Sequence, residues 1–516
     1  MKIEIMPTLK RWARQWGYLL AVVVALILIS ALLVFMPLYS SQRPSGHKAP
    51  AHVSLATPSP TPTTTVSQSG DWKTYMADNA RSGFNGAETL INPTTAPHLE
   101  LKWTHTAGAY VASQVVEADG LLYWGSWDGF EYATDLNNKT IWATNLGETK
   151  NSLCVPVSIG VTSTATIASV EIKGIATLVD FVGGGNGKFY ALDAHTGAVI
   201  WQVSLGSPPA HYLWSSPAVY QGSVYIGVSS LSDCPLIQGK LVQLNAASGS
   251  IQHTFNVMPK GCIGGSIWSS PTIDEASGSV YISTGNGDEC ESAAQYVNAL
   301  VELRASDLSL LHFWRLPLSE TLRDGDFGTT PTLFKTSAGV PMVGLENKNG
   351  KYYAFKRDQL DTPVWRTRIA IGRGSISSSA WDGQRLYVAG RTVKLQGVQC
   401  PGSLAALNPD TGAIIWQDCL KNASTPEPAT GVLGEMVSGA VAAVPGLVAY
   451  AQGPYVMLFD AVSGKVLFSY HDTGEDSLFR GWASISNGVL YIGNANGKLY
   501  AFAPEEASTG LTLLIK

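Results

Sequence analysis

Six residues of this 516-residue chain pair useful chemistry with a loop setting: Ser230, Asp233, Trp268, Asn286, Asp326 and Lys348. Carboxylate and amide oxygens such as those of Asp233 and Asn286 are what a hard divalent cation takes as ligands. A carboxylate such as Asp326 can act as a general base, and an ammonium such as Lys348 can stabilise charge on reduced oxygens. Each residue also has an ordinary reading when taken singly. Asp233 and Asp326 can cap loop turns, Asn286 in Ser-Thr-Gly-Asn-Gly is a turn residue, Lys348 precedes an Asn-Gly turn signal, and Trp268 packs like any core aromatic. A joint role requires a fold that gathers residues more than a hundred positions apart. No nucleophile elbow and no His-rich cluster offers a competing chemistry.

Composition narrows that fold. Lys and Arg number 34 against 39 Asp and Glu, for a net charge of −5, so no basic stripe exists to neutralise a nucleic-acid backbone. Hydrophobic residues make up 45% and charged ones 14%, with Gly 52, Trp 15 and Tyr 20, a balance that excludes disorder and coiled coil and favours a turn-rich β protein.

The first seventy residues are of another kind. Gly17 to Tyr39 carry no charge and are long enough to cross a bilayer core of about 30 Å. Lys2, Lys10, Arg11 and Arg14 precede them, so the positive-inside rule predicts a cytoplasmic tail over 1–16, an uncleaved transmembrane helix over 17–39, and everything beyond outside the cytoplasm. Residues 40–70 are rich in Pro, Ser and Thr and predict an extended stalk. A body at 71–505 and a tail at 506–516 complete the division. Six cysteines on the outward side predict disulfides. No Cys-x-x-Cys-His occurs, which excludes a fused c-type haem, and the absence of Cys-x-x-Cys weakens zinc and thioredoxin-like readings.

The body repeats. Residues 185–201 (GNGKFYALDAHTGAVIW) and 402–416 (GSLAALNPDTGAIIW) share a strand, an Asp- or Asn-bearing turn, and a second strand closed by an aromatic. Trp103, Trp142, Trp201, Phe255, Trp314, Trp365, Trp416 and Tyr470 close successive units at intervals of 39, 59, 54, 59, 51, 51 and 54. A period near 50 with about four short strands per unit predicts an all-β propeller, because one such sheet cannot bury both faces alone. Leu99 to Trp103 form an outer strand without a blade, and the last unit, after Tyr470, has three strands and no outer one. Joining them gives eight blades and removes the free edges. Strand direction alternates within a blade, so the Asp-x-x-Thr-Gly turns and their Trp residues fall on one face and serve as blade glue. The six candidates, and all six cysteines, fall on the other. Cys400 and Cys419 flank the hairpin centred near Asp410 and are placed to pair; the other four allow three pairings.

The Ala-x-Asp-x-x-Thr-Gly-x-x-x-Trp pattern at Ala191, Asp193, Thr196, Gly197 and Trp201 resembles the repeat of the pyrroloquinoline quinone (PQQ) propellers. The opening DWKTYMADNARSGFN resembles the entry segment of the polyvinyl alcohol dehydrogenase branch, and the similarity spans residues 71–505. The resemblance implies a quinoprotein alcohol dehydrogenase site holding PQQ and Ca²⁺. Ser230 and Asp233 are similar to the family's Ser-x-x-Glu, in which the serine bonds the quinone and the acid binds the ion; Asp for Glu shortens the arm, so the ion would sit deeper or keep a water. Trp268 precedes Asn286 by eighteen residues, the family's interval between the Trp under the quinone and the metal-binding Asn. Lys348 corresponds to the cation on the quinone carbonyls, and Asp326 to the catalytic Asp, in a context reduced from Trp-Asp-Tyr to Gly-Asp-Phe. The family's vicinal Cys pair and following Arg are absent where this chain has Thr-Ser-Thr-Ala-Thr-Ile, which implies weaker retention of quinone or none.

Two functions follow. One is a membrane-anchored, extracytoplasmic oxidoreductase acting on alcohol groups and passing electrons to a separate acceptor. The other is a non-catalytic scaffold whose loop face binds a protein partner, since these blades specify fold more strongly than chemistry.

Overall fold

The computed structural model describes residues 70–505, apart from 288–289, 291–293, 372–374, 421–438, 476 and 480–481. The anchor expected at 17–39, the stalk up to residue 69 and the tail from 506 lie outside the described residues; among those described, no helix is long and apolar enough to cross a membrane.

Eight antiparallel sheets follow one another along the chain. Blades one to seven span residues 116–145, 166–204, 218–256, 272–315, 332–368, 380–419 and 442–471. The eighth combines Ser484–Ser486, Val489–Gly493 and Lys498–Pro504 with Leu99–Thr106 as its outermost strand, Leu99 pairing with Pro504 and Thr106 with Lys498. The ring is thus closed by its two ends, as the unpaired strands of the sequence require.

The repeated turn explains how neighbouring blades lock. Asp193 Oδ1 accepts hydrogen bonds from the His195 and Thr196 amides and from the Thr196 hydroxyl. Gly197 then takes a φ of 70°, and a side chain there would lie 2.6 Å from the Trp142 ring of the preceding blade. Trp142 Nε1 donates to Ala194 O at 2.8 Å, and Trp103, Trp201, Trp365 and Trp416 each donate to the equivalent turn of the next blade. Trp103 does so from blade eight to blade one, which seals the ring on its outer side.

Two further systems run round the axis. Backbone amides leading into the innermost strands donate to a hydroxyl of the next blade: Gln114 to Thr164, Thr164 to Ser216, Ser216 to Ser270, Ser270 to Thr330, and Thr330 to Ser378. This belt fixes the loops just above it in register from blade to blade. Beneath it the entry segment, residues 71–85, fills the axis. Trp72 pairs with Glu117, and Lys73, Ala80 and Ser82 carbonyls accept from Ile167, Leu333 and Trp381, while Asn85 bonds both Ala443 and Ile485. Arg81 is fully buried at the centre and donates to the carbonyls of Tyr75, Pro217 and Pro271 and to the Thr74 hydroxyl. Burial draws its pKa down to about 10 against the pull of Asp78, so it stays charged at neutral pH.

Three features were not legible in the repeat: a short ribbon of Thr149–Lys150 with Ser158–Ile159, a strand His211–Tyr212 added to blade three, and a long arm on blade six over Leu386–Leu407. All rise on the loop face. So do the disulfides Cys154–Cys234, Cys262–Cys290 and Cys400–Cys419, with Cα separations of 5.8, 5.9 and 5.5 Å. The expected 400–419 bridge forms, and the first two tie neighbouring loops together.

Candidate functional site

The loops of blades three, four and five supply the site. Ser230 ends the second strand of blade three, and the chain turns at once, with Asp233 at a φ of 53°. Ser230 Oγ donates to Asp233 Oδ1 at 2.7 Å and accepts from the Asp233 amide at 3.2 Å, a compact Ser-carboxylate turn. The adjacent Cys234 is bridged to Cys154, which pins this turn to the loop between blades one and two. Asp233 is exposed, yet the protein packed on its inner side raises its carboxyl pKa. The Ser230 hydroxyl acts against that rise, the Asp326 charge adds to it, and Lys348 subtracts.

Trp268 enters blade four two residues before Ser270 of the hydroxyl belt. Its Nε1 donates to Asp326 Oδ2 at 3.0 Å, and the Lys348 Nζ lies 5.2 Å from its ring centroid, over the face. The same ammonium is 2.6 Å from Asp326 Oδ1 and 2.9 Å from Asp324 Oδ1. The Lys348 contact with the buried Asp326 Oδ1 is a short charge-assisted pair, so the ammonium bridges Asp326 and Asp324. Burial acts to lower the Lys348 pKa, but Asp326 and Asp324 outweigh it and hold the ammonium above its ordinary range. Asn286 joins through Asp324, to which its Nδ2 donates at 3.1 Å. Asp326, Lys348, Trp268 and Asn286 therefore form one connected set through Asp324, and Ser230 and Asp233 stand beside it within reach of its charges.

Residues beyond the sequence candidates hold this set in place. Asp324 was missed because a turn Asp with a φ of 54° reads as loop chemistry; the Asp-Gly-Asp spacing at 324–326 was the available signal. Glu320, on the same connection, accepts from Lys351 Nζ at 2.7 Å, Tyr353 OH at 2.6 Å and Arg366 Nη1 at 2.5 Å. Burial opposes ionisation of Glu320, but the Lys351, Tyr353 and Arg366 contacts prevail and lower its pKa. Asn347 Nδ2 donates to Gly325 O at 2.9 Å. These bonds dock the loop carrying Asp324 and Asp326 onto the turn carrying Lys348.

The residues fit a flat, anionic cofactor and a hard cation in kind: an indole face capped by an ammonium, a hydroxyl, and carboxylate and amide oxygens. Among the described residues, no three His, Cys, Asp or Glu side chains converge as a metal shell. An ion bound there would draw on Asn286 and on oxygens from the cofactor itself.

Comparison with known proteins agrees with this architecture. The chain is 26% identical to a polyvinylalcohol dehydrogenase of Pseudomonas sp over 445 residues, covering 76% of this chain and 66% of that protein. It is 24% identical to a polyvinylalcohol dehydrogenase of Sphingopyxis sp. (strain 113P3), covering 81% and 69%. The chain thus spans about two thirds of the length of these relatives. The crystal structure of quinohemoprotein alcohol dehydrogenase from Comamonas testosteroni superposes with a TM-score of 0.65 at 15% identity, over 84% of this chain and 80% of that one, a likeness of fold. A family model described as outer membrane protein assembly factor BamB matches residues 93–300 and 349–509. With more than half of its residues matched, the chain belongs to this PQQ-repeat propeller family, PQQ_2, and within it is related to the polyvinyl alcohol and quinoprotein alcohol dehydrogenases.

Proposed function

We propose that the propeller is a quinoprotein-type dehydrogenase that oxidises alcohol groups with PQQ and Ca²⁺. The observation that carries this reading is the Trp268 ring, bonded at its edge to Asp326 and capped on its face by Lys348. A quinone bound there supplies the two-electron acceptor and the Ca²⁺ supplies Lewis acidity. The chain's own residues do the rest. Asp326, buried beside the platform, takes the hydroxyl proton, with Trp268 on its Oδ2 and Lys348 on its Oδ1. Lys348 neutralises negative charge next to it, and Trp268 supplies the stacking face. Ser230, Asp233 and Asn286 offer the remaining oxygen ligands. The relatives' names support an alcohol as substrate, and a polymeric secondary alcohol is the reading they favour.

Anchoring by residues 17–39, with the propeller outside the cytoplasm, belongs to the proposal, as does a separate electron acceptor. Three disulfides are consistent with an oxidising compartment.

One observation favours a scaffold instead: Lys348 and Asp326 neutralise each other within the protein. The test is to mix the detergent-solubilised full chain with PQQ and Ca²⁺ and follow dye reduction with primary and secondary alcohols. Quinone uptake with alcohol-dependent dye reduction supports the dehydrogenase. Absence of quinone binding at micromolar concentration ends that reading and leaves the scaffold.

A further inference from the structure

The hydroxyl belt aligns the chain entering each innermost strand, so residues two positions before it can be compared blade by blade. Trp214 in blade three, Trp268 in blade four and Gly328 in blade five occupy the same place. The two tryptophans behave differently. Trp214 turns back on its own blade, donating to Leu231 O at 2.9 Å and meeting Tyr212 edge-on at 4.9 Å. Trp268 instead reaches across into blade five, where Asp326 and Lys348 receive it.

The neighbour ahead differs as well. The equivalent place in the next blade is a full indole, Trp268, in the case of Trp214 and a glycine, Gly328, in the case of Trp268. A methyl group on Gly328 would lie 2.2 Å from Trp268 Cη2, 2.5 Å from Cζ2 and 2.8 Å from Ile376 Cγ2. The first two distances are far inside van der Waals contact, and Ile376 crowds the same methyl position. Gly328 does not adopt the left-handed backbone that would by itself demand glycine. Its missing side chain is needed for the indole, not for the turn.

We propose that Gly328 is a positioning residue, the gap that lets the Trp268 ring lie across the mouth and meet Asp326 and Lys348. Alanine there is compatible with the backbone and restricts the unfolded chain, so on its own it would be neutral or stabilising. Any loss therefore reports the displaced indole.

The ligand-free test is hydroxyl-radical footprinting of the full chain, read at single tryptophans by mass spectrometry. In Gly328→Ala the oxidation of Trp268 rises, while that of Trp72 and Trp124, both fully buried elsewhere, stays as in the parent. The second test is quinone titration and rests on the proposed function. Gly328→Ala weakens PQQ binding about three- to tenfold, the range that one aromatic contact contributes. In a Trp268→Leu background the same substitution costs nothing further, since the clash is gone. An unchanged Trp268 footprint, or costs that simply add in the double variant, overturns the inference. If the parent chain takes up no quinone, the redox reading falls, and the footprint alone decides the role of Gly328.

Discussion

The Lys348 ammonium lies 2.6 Å from the Asp326 carboxylate, with both side chains almost fully buried. Removing one partner leaves the other as an uncompensated buried charge. Lys348→Ala is expected to cost about 3 kcal/mol of stability by urea unfolding, and Lys348→Met combined with Asp326→Asn to recover much of it. Equal loss in the single and double variants would show that the pair is not coupled.

Asp326→Asn keeps the side-chain size and its bond from Trp268 but removes the proton acceptor and leaves Lys348 with Asp324 as its charge partner. Dye-linked alcohol oxidation is expected to fall about 10²- to 10⁴-fold, with quinone affinity changed little. Retention of most activity would assign the base elsewhere, Asp324 being the first candidate.

Alkaline pH should weaken the ring at a buried acidic pair. Glu131 of blade one and Asp180 of blade two are fully buried, with no hydrogen-bond partner for any of their four carboxyl oxygens among the described residues. Burial raises both pKa values, and the Asp180 charge raises Glu131 further; Asp180 is pushed up to about 8. A carboxyl whose folded pKa is raised is bound to its proton more tightly when folded. Its favourable share is complete below the ordinary carboxyl range and is lost as pH climbs to about 8. Melting temperature should therefore decline from mildly acidic to mildly alkaline solution, and Asp180→Asn should flatten the decline. An unaltered slope in that variant would acquit the pair.

Arg81 holds three carbonyls and a hydroxyl at the axis with a fork that lysine cannot reproduce. Arg81→Met leaves those acceptors buried and unbonded, and about 3 kcal/mol or more should be lost. Hydrogen exchange should show residues 71–85 opening before the blades do. Simultaneous opening would mean that the entry segment is not a separate unit.

The disulfides close loops of different size: Cys154 and Cys234 are 80 residues apart, Cys262 and Cys290 28, and Cys400 and Cys419 19. If chain entropy dominates, replacing the first pair by serine costs most and the last least, each within about 2–5 kcal/mol. Thermal melts of the three double-serine variants test the order.

The fold was readable because its cues are local and repeat. An Asp-x-x-Thr-Gly turn followed by a Trp announces a hairpin, and an orphan strand at each end announces closure. Trp103 pairing the last blade to the first is the outcome of that reading. Alternation told less, because both faces of a propeller sheet are covered by neighbouring blades. In Phe130–Asp135 the pattern FEYATD suggests an outward Glu131, which is instead wholly enclosed. Gly328 was invisible for a related reason, and Asp324 showed only as the Asp-Gly-Asp spacing. The significance of Gly328 lies in what the blade before it places against it, and spacing along one chain does not carry that information.

The entry segment touches the innermost strands all round the ring, and its last partner, Ile485, is some four hundred residues away. The propeller is therefore wound on a pin and is no open tube. On the proposed function, a molecule that reaches Asp326 from the loop side would meet this pin beneath it among the described residues, and reactant and product would share one doorway and take turns.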